Sequence, residues 1–157
     1  MATLNEIQQF LEPKKFAVAG VSRNEKKTGG AFFKELREKG FEIVPINPNA
    51  DEIQGVKCYR SVLDLPDDVK HLHVLTKKTE TNTVVKDAIK KGIKMIWIQQ
   101  GSHTPEAVEA VEKAGIPLIY RKCVMMFAEP VNSVHKFHRA IVKFFGGYPK
   151  LVVPSTN

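Results

Sequence analysis

The stretch from residue 16 to residue 30 constrains the fold of this chain more than any other. It begins with a short apolar run, residues 16–19, which is typical of a strand buried on both faces of a sheet. Gly20 ends the run and a polar, basic loop follows. Apolar residues then recur at helical spacing over residues 28–39. We therefore predict a strand, a glycine turn and a helix whose N-cap is Thr28.

A junction of this kind is able to bind an anion, because the unpaired amides and the dipole of a helix N-terminus point beyond the end of the strand. Gly29 leaves the first helical amides uncovered, and Arg23, Lys26 and Lys27 add positive charge. We interpret the junction as a phosphate-binding loop. The glycine spacing matches neither G-x-G-x-x-G nor a P-loop, so an ordinary strand-to-helix turn with solvated lysines is the alternative.

Four more apolar segments predict further strands, at residues 41–46, 71–75, 94–98 and 116–120. They alternate with segments of helical character, including residues 81–91 and a helix capped by Thr104. This alternation predicts an α/β fold with a doubly wound, parallel five-stranded sheet. Pro117 indicates that the fifth strand lies at the edge of the sheet. Ligands of such sheets bind at the carboxyl ends of the strands, which directs attention to the loops there.

The composition is that of one globular domain of 157 residues with a net charge of +7. No apolar run approaches the ~20 residues of a membrane helix, and no secretory signal precedes the first strand. The two cysteines, Cys58 and Cys123, fit free thiols in a cytoplasmic protein. Nucleic-acid binding is a third functional reading, but the basic residues are not interleaved with aromatic ones.

The segment 132–145 has the pattern of an amphipathic helix, with an apolar stripe formed by Val134, Phe137, Ile141 and Phe144. We predict that this added C-terminal helix packs on its own domain. Residues 1–130 would then form the binding domain, and residues 131–157 a helix and tail attached to it. A symmetric homodimer through the same stripe is the alternative.

The end of the second predicted strand bears on which nucleotide the loop would bind. Sites for NAD place an acidic residue there to bind the ribose hydroxyls. Residues 44–48 contain no carboxylate, which disfavours NAD and favours a ligand with an extra phosphate near the ribose. Asp51 and Glu52 are the nearest acids and leave the dinucleotide alternative open.

Five short motifs together carry a resemblance to a known family. They are Ala-Gly-Val-Ser-Arg after the first strand, Pro-Ile-Asn-Pro-Asn after the second, Gly-Val-Lys-Cys-Tyr-Arg-Ser-Val in the next loop, Ile-Trp-Ile-Gln-Gln-Gly after the fourth and Arg-Lys-Cys-Val-Met-Met after the fifth. Over about residues 10–130 the chain resembles the small, single-domain CoA-binding proteins. These are Rossmann-like and similar to the CoA-binding domain of the succinyl-CoA synthetase alpha subunit. The resemblance implies coenzyme A or an acyl-CoA as the ligand.

The resemblance also implies which residues contact the ligand. The phosphates would meet Gly20, Val21, Ser22 and Arg23, with Thr28 and Gly29 at the helix start and Lys27 beside them. The adenosine would lie beside Asn47 and Pro48. Thr76 and Lys77 would flank the ligand, although many relatives carry proline in this loop. The pantetheine side would be lined by Gln99 and Gly101.

No catalytic residue emerges from the sequence. The catalytic histidine of the synthetase subunit lies in a second domain, outside the resemblance. Cys123 follows the fifth strand and either forms a mixed disulfide with a bound CoA thiol or packs as a small buried residue. His71 and His73 alternate on one strand and are interpreted as structural. The alternative function is an NAD(P)-dependent oxidoreductase or redox sensor.

Overall fold

A computed structural model describes residues 2–129 and Pro149. The predicted doubly wound α/β architecture is confirmed: five parallel strands stand in the order β2-β1-β5-β6-β7. These strands are β1 (Lys15–Ala19), β2 (Glu42–Ile46), β5 (His71–Val74), β6 (Met95–Gln99) and β7 (Leu118–Lys122). The helices are α1 (Leu4–Leu11), α2 (Thr28–Glu38), α3 (Lys78–Lys91) and α4 (Pro105–Lys113). A two-stranded antiparallel hairpin, β3 (Glu52–Ile53) and β4 (Val56–Lys57), lies outside the main sheet.

Hydrophobic cores cover both faces of the sheet, because alternate residues of a strand point to opposite sides. Phe16 and Val18 of β1 belong to the core that includes residues of α1 and α2. Ala17 and Ala19 belong to the core that includes residues of α3 and α4. The central strands are therefore buried on both faces, which explains their nearly continuous apolar sequences.

The helix starts differ from prediction at two places. Thr28 is the first residue of α2 and not its N-cap, which is Lys27, and no side chain caps that helix. Likewise α3 begins at Lys78 and not at Thr81, with an uncapped N-terminus after Lys77. In both cases the chain turns into the helix directly after a lysine, a residue type that capping preferences do not favour.

The other two helices start with side-chain caps. The Thr3 hydroxyl accepts a hydrogen bond from the amide of Glu6, whose carboxylate accepts one from the amide of Thr3, so α1 has a complete capping box. Thr104 caps α4 as predicted, accepting from the amide of Ala107 at 3.0 Å. Among the described α-helices, uncapped N-termini are thus confined to α2 and α3.

The edge position predicted for the fifth strand is confirmed, since β7 is the last strand of the sheet. The strand starts at Leu118, directly after Pro117, whose carbonyl still accepts a hydrogen bond from the amide of Ile96. No helix in the described part of the chain is long and apolar enough to cross a membrane. The predicted helix 132–145 lies outside the described residues, so the division into residues 1–130 and 131–157 stays a prediction, as does the homodimer alternative.

Candidate functional site

A cleft of about 710 Å³ opens at the carboxyl edge of the sheet. It lies where the order of the strands reverses, since the chain proceeds from β1 to β2 on one side and continues at β5 on the other. This reversal is the place at which doubly wound sheets bind their ligands. The loops after β1, β2 and β5 all contribute to its lining.

Two glycines allow the loop after β1 to lie in close contact with its surroundings. Gly20 has φ +98°, and a Cβ built there would lie 2.7 Å from the carbonyl carbon of Leu75. A Cβ on Gly29 would overlap the carbonyl oxygen of Gly20. Only glycine fits these two positions, because a side chain at Gly20 would press on the backbone after β5, and one at Gly29 would separate the start of α2 from the end of β1. As a result, Thr28 and Gly29 at the first turn of α2 line the cleft.

The second helix start at the cleft, that of α3, is fixed by a pair of buried threonines. The Thr81 hydroxyl donates to the carbonyl of Ser102 at 2.8 Å. Its single proton is then used, so the Thr76 hydroxyl donates to Thr81 Oγ1, 2.9 Å away. This chain of hydrogen bonds holds the loop after β5 against the loop after β6. Lys77 lies between the two threonines in the sequence.

Positive potential is concentrated where the two uncapped helices meet the cleft. Lys27 and Lys77 are the N-cap residues of α2 and α3, and both line the cleft with exposed side chains. A helix N-terminus carries about half a positive charge, to which each lysine adds a full one. Two acids of α3, Glu80 and Asp87, line the cleft as well, which leaves the α2 side the more positive.

The Asn47 side chain connects two of the loops that line the cleft. Its amide Nδ2 donates to the carbonyl of Val21 at 2.8 Å, and its Oδ1 accepts from the amide of Asn49 at 2.8 Å. The side chain therefore ties the loop after β1 to the loop after β2. Both of its polar atoms are engaged within the protein, so its first role is to position the two loops.

Ten of the thirteen residues predicted for the site line this one cleft. They are Gly20, Val21, Ser22, Lys27, Thr28, Gly29, Asn47, Pro48, Thr76 and Lys77. These residues come from three separate segments of the sequence, and the parallel sheet brings them together.

Three predicted residues do not line the cleft in this structure. Arg23 is exposed in the loop after β1, and Gly101 is exposed in the turn after β6. Gln99 is buried, and its Oε1 accepts from His73 Nε2 at 3.0 Å and from the amide of Val124 at 3.1 Å. Gln99 thus joins β6, β5 and the turn after β7 inside the core.

The cleft also contains residues that were not singled out from the sequence. Arg60 and Ser61 approach because Tyr59 pairs in parallel with Ile46 at the end of β2. The only signal for them was the Tyr-Arg-Ser portion of a family-like motif, which carries no chemistry by itself. Asn49 and Thr79 also line the cleft, and they belong to the strand-end loops in which the sequence predicted the site; Glu80, Thr83 and Asp87 of α3 were not foreseen.

The two cysteines and the histidines of the described residues, His71, His73 and His103, are not part of the cleft lining. Both cysteines are free and buried, and desolvation raises the pKa of the Cys58 thiol, which disfavours the reactive thiolate. Trp97 packs edge-on against His73, in agreement with the structural interpretation of that histidine. Within residues 2–129 and Pro149, no group of three or more His, Cys, Asp or Glu side chains is arranged to hold a metal ion.

The sequence of the sheet and cleft region matches a known family model. Residues 14–129 match the model described as CoA binding domain. The chain belongs to this CoA-binding domain family. The match includes every strand of the sheet and the three loops of the cleft.

Relatives of this family member include both large enzymes and small proteins. An ADP-forming acetate–CoA ligase of Methanocaldococcus jannaschii is 39% identical over 89 residues, which are 57% of this chain and 13% of that protein. The uncharacterised protein YneT of Bacillus subtilis is 28% identical over 120 residues, 76% of this chain and 89% of that protein. The structure of a conserved hypothetical protein from Pyrococcus furiosus matches with a TM-score of 0.68 at 41% identity, over 70% of this chain and 95% of that one. The chain thus spans a small part of the ligase and resembles the small proteins along most of their length.

Proposed function

We propose that this chain binds coenzyme A or an acyl-CoA in the cleft at the carboxyl edge of the sheet. The observation that carries the proposal is the convergence of two uncapped helix N-termini, each preceded by a lysine, on one cleft. Amides at such positions are the usual donors to phosphate oxygens. The volume of the cleft, about 710 Å³, falls in the range of small-molecule sites.

In this proposal the diphosphate of the ligand lies at the first turn of α2. Gly20, Gly29 and the amides around them approach it, and Lys27 compensates its charge. Asn47 and Pro48 lie beside the adenosine, with the Asn47 amide acting by bracing the loop. Thr76 and Lys77 flank the remainder of the ligand, which leaves the cleft near the start of α3.

The proposal extends only ligand binding to this chain. Ligation of acetate to CoA belongs to a protein of which the chain spans 13%. The lining of the cleft offers amides, hydroxyls, lysines and Arg60, which are groups that bind and orient a nucleotide, beside two carboxylates of α3, Glu80 and Asp87. We therefore propose a CoA-binding module and assign no catalytic residue.

Replacing the two cleft lysines tests the proposed phosphate position. Lys27→Gln and Lys77→Gln are each expected to weaken CoA binding by ~1–2 kcal/mol, because each removes a charge next to a bound phosphate. Calorimetric titration of purified protein with CoA measures the change. Lys94→Gln is the matched control, since Lys94 is exposed just before β6 at the opposite edge of the sheet. Equal affinities of all three variants and the unmodified chain would remove the phosphates from these helix starts.

A competition among nucleotides tests the choice of CoA over a dinucleotide. CoA is expected to bind more tightly than NAD, because no carboxylate lies at the end of β2 to accept the ribose hydroxyls. The measurement is displacement of bound CoA by NAD, NADP and ATP. Tighter binding of NAD than of CoA would favour the oxidoreductase alternative.

A further inference from the structure

We infer that Arg60 recognises a phosphate group carried on the ribose of the bound nucleotide. This inference rests on the proposed nucleotide-binding function and adds which group of the ligand Arg60 recognises. It is drawn from the position of Arg60 in the cleft, the geometry of its guanidinium and the partner that holds it.

The position of Arg60 follows from an extension of β2. The amide of Asn47 donates to the carbonyl of Tyr59 at 2.9 Å, and the amide of Tyr59 donates to the carbonyl of Pro45 at 2.9 Å. Arg60 therefore stands directly beyond the carboxyl end of β2. In doubly wound nucleotide sites the adenosine ribose lies at that end, and a nearby arginine accommodates a ribose phosphate.

The Arg60 guanidinium is oriented by three hydrogen bonds and has two N–H groups that these bonds do not use. Nε and Nη2 donate to the two carboxylate oxygens of Asp51 at 2.9 and 3.2 Å, and Nη1 donates to the carbonyl of Pro48 at 3.2 Å. A guanidinium has five N–H groups, so two remain for a further acceptor. The Arg60 side chain is 58% exposed and lines the cleft, where a ligand is able to reach those two donors. Their planar arrangement suits phosphate oxygens.

Asp51 explains why this site would favour a phosphate over a free ribose diol. A carboxylate near the end of β2 accepts the ribose hydroxyls in NAD sites. Here Asp51 is not part of the cleft lining, and its two carboxylate oxygens accept hydrogen bonds from Arg60, so the carboxylate is directed at the arginine. The same carboxylate orients Arg60 and partly neutralises its charge. Asp51 is therefore expected to weaken the binding of a phosphate to Arg60.

The chemistry inferred is a ribose phosphate, and two common ligands supply it. CoA carries its phosphate on the 3′ position of the ribose, and NADP carries one on the 2′ position. Dephospho-CoA and NAD are the matched ligands that lack it. The ratio of affinities within each pair isolates the contribution of the ribose phosphate from that of the diphosphate.

The test is a calorimetric titration of these four ligands into the full chain and its Arg60→Gln, Asp51→Asn and Lys94→Gln variants. The unmodified chain is expected to prefer CoA over dephospho-CoA by ~10-fold or more, as for a charge-assisted hydrogen bond to phosphate. Arg60→Gln is expected to bring that ratio close to one. Asp51→Asn is expected to raise the ratio, because it removes the opposing charge, and Lys94→Gln is expected to leave it unchanged.

The outcomes separate this inference from the proposed function. If Arg60→Gln weakens CoA and dephospho-CoA by the same factor, Arg60 only supports the loop, and the inference is overturned while CoA binding stands. If the ratio collapses for NADP over NAD in place of the CoA pair, recognition of a ribose phosphate is upheld and its source is NADP. If none of the four ligands binds the unmodified chain, the proposed function and the inference both fail.

Discussion

Gly20→Ala is expected to lower the free energy of unfolding by ~2–5 kcal/mol, the sum of a strained backbone and an overpacked site. The residue has φ +98°, a conformation that alanine adopts only with strain, and the new methyl group would press on the backbone at Leu75. CoA binding is expected to be lost as well, because the loop after β1 would move away from the loop after β5, which lines the same cleft. The measurements are urea denaturation and calorimetric titration with CoA.

Gly92→Ala is the matched control for this substitution. Gly92 ends α3 with φ +84°, but a Cβ built there meets nothing within 4 Å. Its substitution is expected to cost only the ~1–2 kcal/mol of the left-handed backbone and to leave CoA binding intact. If the two variants lose equal stability, the close contact of Gly20 with Leu75 contributes nothing to the fold.

Acidification from pH 7 to pH 4 is expected to destabilise the fold by ~3 kcal/mol through His73 alone, at about 1.4 kcal/mol for each unit of pKa shift. Burial lowers the pKa of His73 from 6.5 to about 4, against a smaller opposing effect of the hydrogen bond to Gln99. Its Nδ1 is buried without a hydrogen-bond partner in the described structure, so a proton added there would have no acceptor. His73 therefore stays neutral in the folded chain.

The direction of the pH effect follows from which state binds more protons. Between pH 6.5 and about 4 the unfolded chain protonates His73 and the folded chain does not. Lowering the pH in this window therefore favours unfolding. The contribution is fully present above pH 6.5 and fully lost once the pH has fallen below about 4.

Urea denaturation at a series of pH values measures this effect, with His73→Leu as the comparison. The variant is expected to show a flatter dependence of stability on pH between 7 and 4, whatever its stability at neutral pH. Gln99 keeps its hydrogen bond from the amide of Val124 in the variant. The pKa of His103 is also lowered by burial and by Arg121 and Lys78, and its smaller contribution remains in both proteins. Equal slopes for the two proteins would contradict the account of His73.

The sheet was predictable from sequence because burial on both faces leaves a direct trace in the chain. The strands at residues 16–19 and 94–98 are nearly unbroken apolar runs, and Pro117 correctly indicated an edge. The hairpin of β3 and β4 was not predicted, because strands of two residues are too short to show alternation. Only the turn at Gly55 between them gave a signal.

The helix starts at the cleft were harder to place for a physical reason. Sequence rules look for a capping side chain, and Thr28 satisfied them. The structure leaves α2 and α3 uncapped, with Lys27 and Lys77 at the positions where a cap would stand. The same feature that misled the prediction, a bare N-terminus, is what suits the cleft to a phosphate.

Individual side chains of the site were predictable only where a loop follows a strand of the sheet. Ser22, Pro48 and Thr76 met this condition and line the cleft. Gln99 met it too, but its side chain turns inward to His73, a distinction that depends on the packing of β6. Arg60 does not directly follow a predicted strand, and its place in the cleft depends on the extension of β2 by Tyr59.

Titration of isotopically labelled protein with CoA, followed through its backbone amide NMR signals, tests the central claim most directly. Binding in the cleft predicts saturable shifts that are largest for residues 20–29, 47–49 and 76–80, with the amides at the start of α2 among the most affected. A second hollow of about 530 Å³, lined by Leu4, Ile7 and Leu11 of α1, provides the internal comparison. Shifts centred on that hollow, or no saturable shifts at all, would contradict the assignment of CoA to the cleft.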